Sequence, residues 1–213
     1  MAMKVRRSQQ ERTAETQARL LEAAVDLMHA KGLAHTSTND IAEAAGVSRG
    51  ALTHHFESRE DLIASAIAHM LNKVIGNLKD FASRVSGGEA SSDDLIDFLW
   101  HMMEDRLFYV TLEYLPEARH NAMFRGRLVP VVSRFHAALD RIWSELALRY
   151  GLGPEATREM MNATMCLLRG MIAQTILRDD PPYFRGMLDF WKATVRAQLA
   201  DAARRARPRV VGL

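Results

Sequence analysis

Residues 41–56 read IAEAAGVSRGALTHHF, and the polar side chains at its centre suit recognition of another molecule better than bond-making. Arg49 stands at the start of a short helical pattern, with Ser48, Gly50, Ala51, Thr53 and His54 around it. The N-terminal end of a helix set into the DNA major groove is the end that meets base edges. Gly50 costs about 1 kcal/mol against alanine in a helix interior. Close approach to a phosphate would account for it; so would its place in the first turn, where the cost is smaller. Catalysis has no comparable basis. The chain lacks a phosphate loop and a His-Glu-x-x-His zinc motif. Glu113, His120 and Cys166 would have to converge to make a reactive centre. The adjacent His54 and His55 point about 100° apart on a helix and are poor chelators together. No catalytic residue, metal or cofactor is expected.

The elements around Arg49 must hold it outward and rigid. Gly46 sits where one short helix ends and the next begins about two residues later, a turn that needs positive φ. Ser48 can cap the second helix. Ile41, Ala42, Ala45, Val47 and Leu52 are spaced to pack the two helices together, a helix-turn-helix pattern. Upstream, ERTAETQARLLEAAVDLMHAKG places Leu20, Leu21, Ala24, Leu27 and Met28 on one stripe, with Arg19, Glu22, Asp26 and His29 facing away and Gly32 as the stop. Ser37 or Thr38 can cap the second helix of the chain, and Asp40 completes a capping-box spacing with Ser37. His55 packs or caps the helix end, and Phe56 anchors the junction that follows.

These stretches (LLEAAVDLMHAKG, TSTNDIAEAAGVSRGALTHHF and ESREDL) resemble the DNA-binding domain of the tetracycline-repressor (TetR) family of bacterial transcription regulators. The resemblance spans residues 13–62, about a quarter of the chain. It implies that Ser37, Thr38 and Asn39 open a helix beside a phosphate or groove edge. Arg49, Gly50 and Ala51 would face bases, with Ser48 at the head of the helix. Thr53 and His54 would touch backbone or bases, and Arg59 would reach a phosphate. The family usually has an aromatic, most often tyrosine, where this chain has Thr53; a threonine can bond a phosphate but cannot stack.

Composition bounds the rest. The 213 residues are 48% hydrophobic, enough to bury a sizeable core, and formal net charge is only +2. Residues 1–60 hold eight Lys/Arg and eight Asp/Glu, so a nucleic-acid footprint must be local. Lys4, Arg6 and Arg7 form either a basic arm for the minor groove or a solvated leader. One cysteine and the lack of an apolar leader or an 18-residue apolar run point to a soluble, cytoplasmic protein without a membrane partner.

Beyond residue 58 the sequence reads as helix throughout. SREDLIASAIAHMLNKVIGNLKDFASR (58–84) opens with Ser58 as a cap. Segments 94–106, 107–119, 121–149, 155–178 and 183–206 follow, with Pro116 ending or kinking one and Pro130 bending another. The expected fold is all-α with about nine helices: a three-helix DNA-binding domain over residues 1–60 and a helical ligand-binding and dimerisation domain over 61–213. WHMMEDRLFYVTLEYLPEARHNAMFRGR (100–127) interleaves Trp100, Met103, Phe108, Tyr114, Met123 and Phe124 with Glu113, His120 and Arg127. MMNATMCLLRGM (160–171) adds Met165 and sets Arg169 on an apolar helix. Such a set suits a pocket for a small, mostly apolar effector; ordinary core packing is the alternative. Gly170 permits close helix approach, and Phe190, Trp191, Val195 and Leu199 form a stripe. The resemblance implies that the last two helices pair with their two-fold mates, giving a homodimer that reads a palindromic double-stranded operator. The expected function is therefore a ligand-responsive regulator, a repressor in most of the family. A DNA-bound interaction protein of the same fold is the alternative, and an enzyme or carrier with a vestigial helix-turn-helix is the third reading.

Overall fold

A computed structural model describes residues 8–206; Lys4, Arg6, Arg7 and the tail after residue 206 lie outside the described residues. The described residues contain no strand. They form α1 (Gln9–Lys31), α2 (Thr38–Ala44), α3 (Arg49–His55), α4 (Arg59–Ser86), α5 (Ser92–Met102), α6 (Phe108–His120), α7 (Ala122–Tyr150), α8 (Pro154–Thr175) and α9 (Pro181–Ala206), with a π-helical turn over Met103–Leu107.

The starts of the early helices follow their capping residues. Ser8 and Glu11 make a full capping box on α1, Ser37 and Asp40 another on α2, and Ser91 and Asp94 a third on α5. Ser37, not Thr38, is the α2 cap. Each pair satisfies two otherwise unpaired amides. Ser58 accepts from the Asp61 amide at 3.0 Å at the head of α4, as its position suggested.

Two compact units emerge. The first takes residues up to Asn72 together with Tyr109–Val132, and the second takes Lys73–Phe108 and residues from Ser133 onward. The compact units therefore divide within α4 and α7, each a single uninterrupted helix. In the first unit Leu20, Ala24, Met28, Ile41 and Leu62 are fully out of solvent, and α2 packs on both α1 and α3. The α1 stripe is wider than expected: Ala23 and Val25 are buried and Leu27 is only half-buried. Glu22 does not face away; its carboxylate meets His69 of α4 at 2.8 Å. In the second unit α5 packs on α8 and α9. Lys192–Asp97 at 2.5 Å and an Arg196–Asp93 pair tie α9 to α5.

Pro116 does not end its helix, and Pro130 lies inside another: α6 continues through Pro116 to His120, and α7 runs through Pro130. The break falls instead at Asp105, whose ψ of −145° leaves the helical region inside the π turn. A proline costs one hydrogen bond and a clash one turn back, and tertiary packing outweighs it in both helices. α9 starts at Pro181, earlier than expected, because proline's fixed φ suits a first helical position and its missing N–H is no loss there.

The reversal between α2 and α3 is set by hydrogen bonds. Gly46 has φ +62°; its N–H reaches the Glu43 carbonyl at 3.0 Å, and the Val47 N–H reaches the Ala42 carbonyl at 2.9 Å. This is a Schellman ending, which requires the left-handed residue between its two bonds. A Cβ at Gly46 would meet nothing, so the requirement is purely conformational. Gly50 also has open space around it and no positive φ. Gly46→Ala is therefore expected to lose about 1–2 kcal/mol in urea unfolding, whereas Gly50→Ala is neutral or stabilising by up to about 1 kcal/mol.

Candidate nucleic-acid interface and ligand-binding residues

α3 presents its N-terminal end to solvent. Ser48 accepts from the Ala51 amide at 3.2 Å, which fixes the first turn, and Leu52 is buried beneath it. Arg49, Gly50, Thr53 and His54 are exposed, and Ala51 is half-buried. Beside them on α2, Ser37 and Asn39 are exposed and Thr38 is half-buried. Ser37, Thr38, Asn39, Ser48, Arg49, Gly50 and Ala51 thus lie at the two helix starts, with Thr53 and His54 further along α3. His55 is half-buried with its ring 6.3 Å from that of Phe56, which is buried at the junction.

Two of these residues have occupations that the sequence did not reveal. The Thr53 hydroxyl donates to the Gly50 carbonyl at 3.0 Å. A hydroxyl has one proton, so in this conformation Thr53 has none to give a phosphate. Arg59 is half-buried: its Nη2 donates to the Leu33 carbonyl at 2.6 Å and its Nε to the Thr36 carbonyl at 3.1 Å. The guanidinium closes the loop between α1 and α2 by satisfying carbonyls that the helix cannot.

A second tie braces the same turn. Lys31 at the end of α1 pairs with Asp40 of α2 at 2.6 Å. That ammonium, with the Ser37 amide and hydroxyl, pushes the Asp40 carboxyl down from 3.8 to about 2. Nothing in the sequence spacing of these two residues signals the pair.

The proposed effector residues are divided between the two compact units. Glu113, Tyr114, His120, Met123, Phe124 and Arg127 belong to the first unit, and Trp100, Met103, Phe108, Met165 and Arg169 to the second. Glu113 accepts the Leu33 N–H at 2.9 Å and lies so near Gly32 that a Cβ there would sit 2.9 Å from the same oxygen. Arg127 pairs with Asp61. Met123 is 80% exposed and His120 is exposed, while Tyr114 and Phe124 are core. In the second unit Met103, Phe108 and Met165 are buried, and Arg169 is half-buried. Burial and the Arg169 guanidinium hold His136 below the ordinary histidine range, against a smaller opposing pull from Asp140. Trp100 lines a cleft of about 400 Å³ with Phe184, Arg178 and Asp180. A larger cavity of about 670 Å³ lies between α4 and α7 and draws on none of the predicted residues. Alternating apolar and polar residues in a helix produce core and surface by default.

Residues 20–66 match the model of a family described as bacterial regulatory proteins, tetR family. The chain is 24% identical over 179 residues to the HTH-type transcriptional regulator CymR of Pseudomonas putida, covering 84% of this chain and 88% of that one. A crystal structure described as a putative TetR-family transcriptional regulator from Mesorhizobium loti aligns with a TM-score of 0.72 at 19% identity, over 89% of this chain and 97% of that one. The multidrug binding protein EbrR, solved with imidazole, aligns with a TM-score of 0.55 at 26% identity, over 82% and 93%.

The lowered Asp40 value fixes a pH dependence. A carboxyl depressed from 3.8 to about 2 on folding adds stability above pH 3.8, and that stability disappears as pH falls through about 2. In urea titrations, Asp40→Asn is expected to be less stable than the parent at pH 6, with the gap closing between pH 4 and 2. A gap that stayed constant over that range would show that the carboxylate charge is not what braces the turn.

Proposed function

We propose that this chain, a TetR-family transcriptional regulator, is a cytoplasmic homodimeric repressor that binds a palindromic operator and answers to a small effector. The observation that carries the reading is the exposed start of α3, with Arg49 at its first position and Leu52 buried. Arg49 takes no hydrogen bond or ion pair among the described residues, so its donors remain available to base edges and phosphates. Ser37, Thr38, Asn39, Ser48 and His54 would add phosphate and groove contacts, and Thr53 and Arg59 would contribute less directly.

Two α3 helices are needed to read a two-fold site. α8 exposes Ala163, Cys166 and Gly170, a stripe of small residues at helical spacing, and α9 exposes Phe190 to 65%. Of the stripe expected on α9, Phe190 is exposed, whereas Val195 and Leu199 are buried together with Phe184 and Leu188. Small residues beside an exposed aromatic support pairing of α8 and α9 with a second copy. A small-molecule effector is supported by the fold shared with a multidrug binding protein. An effector that loosens DNA binding must itself bind the DNA-bound form less well.

Footprinting on genomic fragments tests the reading. One or a few discrete palindromes are expected; protection scattered over many sites favours a DNA-bound interaction protein instead. Arg49→Ala should weaken operator binding by about 5- to 150-fold, the equivalent of one base-reading arginine, with an unchanged helical spectrum. Retention of full affinity would remove Arg49 from the interface. Sedimentation tests the dimer: the parent chain is expected at twice the monomer mass, and Phe190→Glu should shift it to monomer at micromolar concentration without unfolding it.

A further inference from the structure

The cavity between the second half of α4 and the middle of α7 has its own chemistry. Its space comes from small side chains: Ala82, Ser83 and Ser86 on α4 face Ala137 and Ala138 on α7. The floor is apolar, with Ile75, Leu78, Ala82 and Ala138 all buried. The upper wall is cationic. Lys79, Arg134 and Arg141 are exposed there, against one carboxylate, Glu145, which already accepts the Ser86 hydroxyl. The lining thus carries three positive groups and one negative, a net of +2. At about 670 Å³ it falls within the ordinary range of small-molecule sites.

We propose that this groove binds an amphipathic organic anion, its apolar body on Ile75, Leu78 and Ala138 and its charged head between Lys79 and Arg141. An organic cation would meet like charge at the rim, and a neutral apolar ligand would leave the rim's positive potential unused. Both walls are parts of helices that run on into the other compact unit: α4 begins at Arg59, four residues after α3, and α7 begins at Ala122. The groove is therefore placed to report occupancy along α4. That role as the effector site rests on the regulator reading; binding itself does not.

Calorimetry with the full chain tests binding, using decanoate, decyl phosphate, decan-1-ol and decylammonium. Decanoate or decyl phosphate should bind at least tenfold more tightly than the alcohol, and decylammonium weakest; whichever anion is tighter identifies the preferred head. Lys79→Gln with Arg141→Gln should cost the anions tenfold or more and leave the alcohol unchanged. Ala138→Trp should abolish binding of all four by filling the floor. Anion affinity indifferent to both variants, equal affinity for decylammonium, or no binding by any probe to folded protein would overturn the site. Operator release is read separately. Anion binding here without any change in DNA affinity leaves the site standing and removes its effector role. DNA release by a different compound with this groove empty removes the groove's effector role and keeps the regulator.

Discussion

The two hydrogen bonds that straddle Gly46 fix the angle between α2 and α3, and the positions of every exposed group on α3 descend from that angle. Helices of seven residues are too short to be stable alone in water. They persist here because each is closed at both ends. Ser37 and Ser48 take up free amides at the starts, the Schellman pair takes up carbonyls at the turn, and Ile41 and Leu52 are buried. A residue that could not take positive φ would change the direction of α3, and Arg49 with it.

Around that reversal the polar groups act as braces. Lys31–Asp40, Arg59 with two carbonyls and Glu113 with the Leu33 amide converge on residues 31–40. Each satisfies a backbone group or helix end that would otherwise cost about 1–3 kcal/mol if buried unpaired. The first unit thus draws Glu113 from α6 and Arg127 from α7, and is not a purely N-terminal assembly. Hydrogen bonding to the loop explains why these residues look like ligand anchors in sequence: a charge among apolar neighbours marks a partner, and here the partner is the chain itself.

Local signals were legible and distant ones were not. Ser37, Gly46, Ser48 and Ser58 act on residues within four positions, so their roles could be read directly. The nine α-helices of the described residues, with no strand among them, followed from periodicity in the same way. The effector set was less legible, because helical spacing places side chains on a face without saying what the face meets. Trp100, Met103 and Tyr114 face core, and Met123 faces solvent. The cavity between α4 and α7 left no motif at all, since it is made by the smallness of Ala82, Ala137 and Ala138, and missing volume has no signature in one sequence. Pro116 did not end its helix, the one local stop signal among these that the fold overrode.

The bond from Thr53 to the Gly50 carbonyl has a consequence for how tightly such a protein would hold a duplex. A hydroxyl turned inward must rotate away from its own backbone before it can serve a phosphate, so a new bond there is partly offset by the loss of the internal one. With no ring at that position to lie against a sugar, grip would rest on fewer groups, Arg49 foremost. A weaker hold needs a smaller difference in affinity to be undone, so a modestly selective signal molecule would suffice to switch the complex.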